Sequence, residues 1–238
     1  MENLPSVIEK HELARHLYAD DTQIADHLQL TQAAAVITNI ERCVESVHVW
    51  RTSKRLQLNL IKSEKIWFGS RTSLHRLHGD DLSLHIGANI IVPLSVVRDL
   101  GVFLDSKLSM TSYITKISSI CYYQLRRLKQ VRRVLGENIT ARLVSTFVIS
   151  RLDYRNAILA GLPQSTMAPF QRVQNAAVRM VKNLGSRDHI TDARCNLHWL
   201  AIKYRVIYKL CILMHMVHID CDPGYISELV YATSALSG

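Results

Sequence analysis

The sharpest chemical signal in this chain is the run Tyr18-Ala19-Asp20-Asp21. Two adjacent carboxylates repel one another and gain little from packing. A divalent cation removes that repulsion, because hard carboxylate oxygens suit Mg²⁺. In two-metal phosphoryl transfer, such carboxylates hold ions about 3.5–4 Å apart, which steady the attacking and leaving oxygens. Taken as four residues alone, the run reads better as an ordinary Asp-Asp turn, common on any surface. The second candidate is cationic. Between Lys116 and Arg155 there are nine Lys and Arg, among them Arg126, Arg127, Lys129, Arg132 and Arg133, against two acids, Glu137 and Asp153. That stretch therefore holds +7 of a formal net charge of +9. Nucleic acid is the commonest anionic partner for such a surplus. Two thinner signals involve metal-ligating residue types. His189, Cys195 and His198 match no common zinc-finger spacing and have no obvious fourth ligand, and Cys211, His215 and His218 share one helical face only weakly suited to a metal. No Ser-His-Asp arrangement, Walker motif or Gly-rich dinucleotide loop occurs.

The elements that must position these residues follow from periodicity. Residues 13–28 alternate apolar and polar on both sides of Ala19-Asp20-Asp21, which predicts a β-hairpin with the acids at its tip. Asp26, on the returning strand, falls well away from that tip. From Thr31, a candidate N-cap, to about Leu58 the spacing of Ala34, Ile37, Ile40, Val44 and Val47 predicts a helix. Short strand-like runs follow at Lys65–Gly69, Leu82–Ile86, Asn89–Val92 and Val96–Leu104, with breakers at Gly79-Asp80-Asp81, Gly87-Ala88-Asn89 and Pro93. Beyond Leu108 the pattern turns helical. Ile117, Cys121, Leu125, Leu128, Val131 and Leu135 form one apolar face, the RRLKQVRR charges lie on the other side, and Gly136 ends the helix. A second helix begins with Ile139, Leu143 and Phe147, running toward Leu159 and breaking at Gly161-Leu162-Pro163. A third carries Met167, Phe170, Val173, Ala177, Met180 and Leu184, and Lys203–Val217 reads as a buried helix. The expected fold is α+β, with a β-rich unit holding one helix over residues 1–105 and an all-helical unit over 106–238.

Composition sets bounds on all of this. At 238 residues, 48% hydrophobic and 21% charged, the chain is ordinary globular protein and not disordered over most of its length. Five cysteines without a C-x-x-C pair fit a reducing compartment. No uncharged run reaches the roughly 20 apolar residues a membrane span needs. The acid-bearing N-terminal stretch lacks the apolar core of a signal peptide. An intracellular location, nucleus or cytoplasm, is expected, with no membrane partner and no secretion.

Taken together, the blocks have a family look. Tyr18-Ala19-Asp20-Asp21-Thr22-Gln23, then a helix, then Leu56–Lys65 and Leu100-Gly101-Val102-Phe103-Leu104-Asp105, resemble the reverse transcriptases of non-LTR retrotransposons of the jockey and chicken-repeat clades. The likeness continues in order through Ser150–Tyr154, Gly161–Thr166, Gln171–Ala177, Arg187–Thr191 and Leu197–Leu200. It implies that the first unit is a partial palm and the second a helical thumb. Asp20 and Asp21 would be metal-binding catalytic carboxylates for Mg²⁺. Tyr18 would be the aromatic before them, and Gly101 would lie in the primer-grip hairpin. Lys62 matches a late palm lysine that donates a proton to pyrophosphate, and a solvated lysine explains it equally well. The basic helix would track the backbone of an RNA template and DNA primer.

The sequence also departs from that family. The palm has an earlier aspartate and a Gly-x-Pro-Gln-Gly segment, and the 19 residues before Asp20 are too few for them. Gly161-Leu162-Pro163-Gln164-Ser165 mimics that segment but matches the thumb-side block, and Arg155 stands where such elements usually have Cys. The expectation is a fragment of an RNA-directed DNA polymerase, inactive alone, with self-association through exposed palm surface. The other reading is a non-catalytic nucleic-acid-binding remnant.

Overall fold

The computed structural model describes residues 3–27, 29–77, 82–227 and 230. The fold is mixed α+β, and the chain divides after Leu108 into two compact units.

The first unit is built around one long helix. A short helix, α1 (Leu4–Glu9), starts where the Asn3 carboxamide accepts the Ser6 amide at 3.0 Å. The alternating stretch then folds as expected into β1 (Ala14–Tyr18) and β2 (Asp21–Ala25), antiparallel, with Tyr18 opposite Asp21 and Leu17 opposite Thr22. The following helix, α2, spans Ala33–Ser53, shorter than periodicity suggests. Thr31 does not cap it. Leu30–Gln32 form a 3₁₀ turn, and Gln32 occupies the cap position without a side-chain bond. At the other end Arg55 turns left-handed at φ 59, the Arg55 amide donates to Thr52 and the Leu56 amide to Arg51. These two reversed bonds close the helix, as a Schellman motif does, before the apolar pattern stops.

One face of α2 meets Val7, Ile8, Leu13 and Ile24 through Cys43 and Val47. Another packs Ile37 and Val44 on Leu84, Ile86 and Ile91. Thus the helix serves as the spine of two small cores. The remaining strands are short: β3 (Lys65–Ile66), β4 (Leu84–Ile86), β5 (Asn89–Ile91), β6 (Pro93–Leu94), β7 (Val96–Asp99) and β8 (Val102–Asp105). The expected run Lys65–Gly69 stops early because Ser70 caps a helix, α3 (Arg71–Arg76), by accepting the Ser73 amide. Val96–Leu104 is two strands, because Leu100 (φ 43) and Gly101 (φ 87) make a tight reversal. The Gly79-Asp80-Asp81 breaker lies outside the described residues. Among the described residues the strands form four separate two-stranded ladders, β1–β2, β3–β6, β4–β5 and β7–β8, only β3–β6 being parallel.

The second unit is all helical. α4 (Thr111–Val144) breaks sharply at Gly136 (φ 68, ψ 178), where the sequence places a stop. The chain resumes helically, widens into a π-helical turn at Ser145–Ile149, and ends as α5 (Ser150–Asp153). The buried stripe here is Thr140, Val144, Val148 and Leu152, whereas Ile139 and Phe147 are 52% and 40% exposed. The expected stripe is thus displaced by one residue. Thr140 conceals it, because its hydroxyl is satisfied by the Gly136 carbonyl at 2.5 Å and so can be buried.

α6 (Gln164–Lys182) packs along α4, burying Phe170, Val173, Ala177, Val178 and Val181. Tyr113 and Phe170 meet edge to face at 6.1 Å. α7 (Thr191–Asn196), α8 (Ile202–His218) and α9 (Gly224–Ser227) follow. α8 is a helix as expected but is not buried. Only Ile202 and Val206 are enclosed, and Tyr204, Tyr208 and Met214 stand out at 58%, 59% and 50% exposure.

Candidate functional site

The two-residue loop Ala19-Asp20 carries the acidic tip between Tyr18 and Asp21. Ala19 sits at φ 53, a left-handed conformation that disfavours any side chain with a Cβ. Three ties hold this hairpin. On β1, Arg15 forms an ion pair with Glu9 at the end of α1. From the last turn of α2, Arg51 donates to the Asp20 carbonyl at 3.4 Å and to the Thr22 hydroxyl at 3.2 Å. From β2, Gln23 donates to the Asp99 carboxylate on β7 at 2.6 Å.

Arg51 thus grips the backbone of the tip and leaves both aspartate carboxylates facing solvent, with Tyr18 58% exposed beside them. Among the described residues no group of three His, Cys, Asp or Glu gathers to hold a metal. Two neighbouring carboxylates are hard oxygen donors of the kind Mg²⁺ takes, and by themselves they are too few to fill its coordination shell. Asp26 accepts its neighbour His27's amide at 2.8 Å beyond the end of β2.

The Gln23–Asp99 bond joins the aspartate hairpin to the β7–β8 hairpin, whose turn contains Gly101. Lys62 is different. It ends a 3₁₀ turn, Leu60–Lys62, its side chain is exposed, and no described residue ties it to either hairpin.

Four of the five basic candidates on α4, Arg126, Arg127, Lys129 and Arg133, are exposed. Arg126, Lys129 and Arg133 follow i, i+3, i+7 spacing and share a face. Arg127 lies over the Tyr123 ring at 5.8 Å and donates to its hydroxyl at 3.4 Å. Arg132 does not point outward with them. Its Nε donates to the Met180 carbonyl at 3.1 Å and its Nη2 to the Val181 carbonyl at 2.8 Å. The guanidinium thus satisfies the orphan carbonyls in the last turn of α6, where the helix dipole also favours a cation. Next to it Lys182 pairs with Glu137 at 2.6 Å.

The polar joints of the helical unit are residues that periodicity does not single out. Gln174 is fully buried, and its Nε2 donates to the Leu200 carbonyl at 2.7 Å. Gln171 donates to Gln174 at 3.0 Å and to Asn175 at 2.7 Å, while its Oε1 accepts the Ile202 amide at 3.0 Å. This network seats the start of α8 on α6. Asp153 pairs with Arg205, and the Tyr113 hydroxyl donates to the Tyr154 carbonyl at 2.9 Å. The signal that could have found Gln174 is its place within the apolar face of α6, between Val173 and Ala177. A polar residue there needs a partner.

Burial also acts on titration. It pushes the Cys121 thiol up to about 11 and the Tyr113 phenol to about 12, with Tyr154 adding to the second. Burial raises Cys43 as well. His189, Cys195 and His198 are all exposed, as are Cys211, His215 and His218, and neither set forms a metal cluster among the described residues.

Comparison of the chain with protein-family models, with curated proteins and with solved structures finds no match.

Proposed function

We propose that the chain is the palm-hairpin and thumb portion of a non-LTR-type reverse transcriptase, binding template–primer through its helical unit. The observation that supports this best is the order and linkage of parts. An Asp-Asp hairpin is bonded to a second tight hairpin, and a helical unit follows with four exposed cations on its first helix. The nucleic-acid side of the reading rests on Arg126, Arg127, Lys129 and Arg133 alone, since Arg132 is occupied by α6.

The catalytic side rests on Asp20 and Asp21. Two-metal transfer needs a fuller carboxylate cage than these two supply. The polymerase reaction therefore requires further carboxylates in trans or from a longer parent, and the isolated chain acts as a nucleic-acid-binding module. The competing reading, a remnant that binds and never catalyses, draws on the same incomplete acid set.

The test is a salt titration of a primer–template duplex against wild type and an Arg126/Arg127/Lys129/Arg133→Ala variant, alongside dNTP incorporation. Wild type should bind with a steep salt slope, about −0.9 per phosphate neutralised on duplex DNA. The variant should lose affinity and slope together while keeping its helical circular dichroism. No nucleotide should be incorporated by either. Unchanged binding in the variant would remove the thumb-like role, and Asp20-dependent incorporation by the chain alone would overturn the claim that its acid set is incomplete.

A further inference from the structure

The helical unit has a second basic feature, separate in sequence from the α4 row. A cleft of about 450 Å³ opens between the first turns of α6 and α8. Its apolar lining includes Met167, Ala168 and Ile202, and polar or cationic lining comes from Gln164, Ser165, Arg172 and Lys203. No acidic residue lines it. Arg172 and Lys203 are both exposed and pair with no acid among the described residues. The shape is fixed, because Gln171, also in the lining, is locked on three sides to Gln174, Asn175 and the Ile202 amide. The two cations therefore stand on a braced joint between two helices and not on a mobile loop.

From this we infer that the cleft is a phosphate-binding subsite for a nucleotide unit. Arg172 presents a planar fork suited to two phosphate oxygens, and Lys203 adds a point charge. The Gln164 amide and Ser165 hydroxyl supply further donors, and the apolar lining accepts a sugar or base edge. Pockets of roughly 300–1,000 Å³ are the usual size for a small organic ligand, and one nucleotide falls in that range. The phosphate comes either from a polynucleotide strand or from a free nucleotide, two sources with the same chemistry. The inference does not depend on the α4 cations, and it extends the proposed nucleic-acid role to a second set of basic residues.

The test uses the full chain and an Arg172→Gln/Lys203→Gln variant, with the Arg126/Arg127/Lys129/Arg133→Ala variant in parallel. Anisotropy of a labelled single-stranded oligonucleotide is followed across a salt series, and dATP binding is followed by calorimetry. Thermal melting checks that each variant is folded. If a strand supplies the phosphate, the cleft variant should bind the oligonucleotide about tenfold more weakly. Its salt slope should also be shallower by about 1.4, the value for two contacts on a single strand. If a free nucleotide is the source, dATP binding should be lost in the cleft variant and kept in the α4 variant. Unchanged binding of both ligands by the folded cleft variant overturns the subsite, whatever the α4 variant does. Loss of oligonucleotide binding in the cleft variant with none in the α4 variant supports the subsite and removes the α4 reading instead.

Discussion

Ala19 is one of several non-glycine residues held in the left-handed region, and it lies at the acidic tip. A left-handed alanine at the tip of a two-residue hairpin costs on the order of 1 kcal/mol, which glycine would not incur. Ala19→Gly should therefore raise the urea midpoint of the first unit, by about 0.5–1 kcal/mol in stability. A loss of stability would mean that the alanine methyl makes contacts that outweigh its strain.

Cys121 and Tyr113 act through ionisation. Both are acids that are neutral when protonated, and burial raises both in the folded state, from 9.0 to about 11 and from 10.0 to about 12. The unfolded chain ionises first, so their contribution is whole below pH 9 and is lost as pH climbs through 9 to 12. Urea midpoints should fall over that window in wild type. The fall should be smaller in Cys121→Ala/Tyr113→Phe, and an equal fall in both would assign the alkaline loss to other groups.

Among the elements, the helix containing Gly136 makes the clearest demand. Its φ and ψ fall in a region essentially reserved for glycine, although nothing lies within 4 Å of an added Cβ. Gly136→Ala should therefore destabilise through backbone strain alone, by about 1–3 kcal/mol. Thermal melting checks this, and a neutral or stabilising result would show that the break straightens freely.

This break was legible in the sequence, as were the aspartate hairpin and the helical stretches, because each is dictated by local periodicity and a turn residue. Three features were not. Arg132 sits in a run of look-alike cations, and only the position of the α6 carboxyl end distinguishes it. The Thr140 stripe hides behind a hydroxyl that bonds its own helix. The exposure of α8 is a matter of what packs against it, which apolar content alone does not reveal. In the candidate site, the Asp20 and Asp21 positions were readable, whereas the Arg51 and Gln23 bonds that hold them span 31 and 76 residues of sequence and leave no local trace.

At the scale of the whole chain, the two units differ in how their backbones are protected. The helices close their own hydrogen bonds and bury Tyr113, Phe170 and Val178 completely. Among the described residues the four ladders have two strands each, an arrangement marginal without packing support. α1 and α2 give the first hairpin such support through Leu13 and Ile24, more than the alternating pattern by itself suggests. Native-state hydrogen exchange should therefore rank the α4 and α6 cores slowest and the β4–β5 and β7–β8 amides fastest, with β1–β2 between them. Hairpin amides as slow as those of Val173 and Ala177 would contradict this ranking.

The π-helical turn at Ser145–Ile149 bears on how the chain tolerates changes in length. In an ordinary α-helix, removing one residue rotates everything beyond it by about 100° and turns a buried stripe toward water. A π turn already carries one residue more than an α turn would use. A single-codon deletion within Ser145–Ile149 would convert it to regular helix and leave Leu152 and Asp153 facing as they do now. The same deletion between Thr111 and Leu125 would swing the cations at 126–133 off their face.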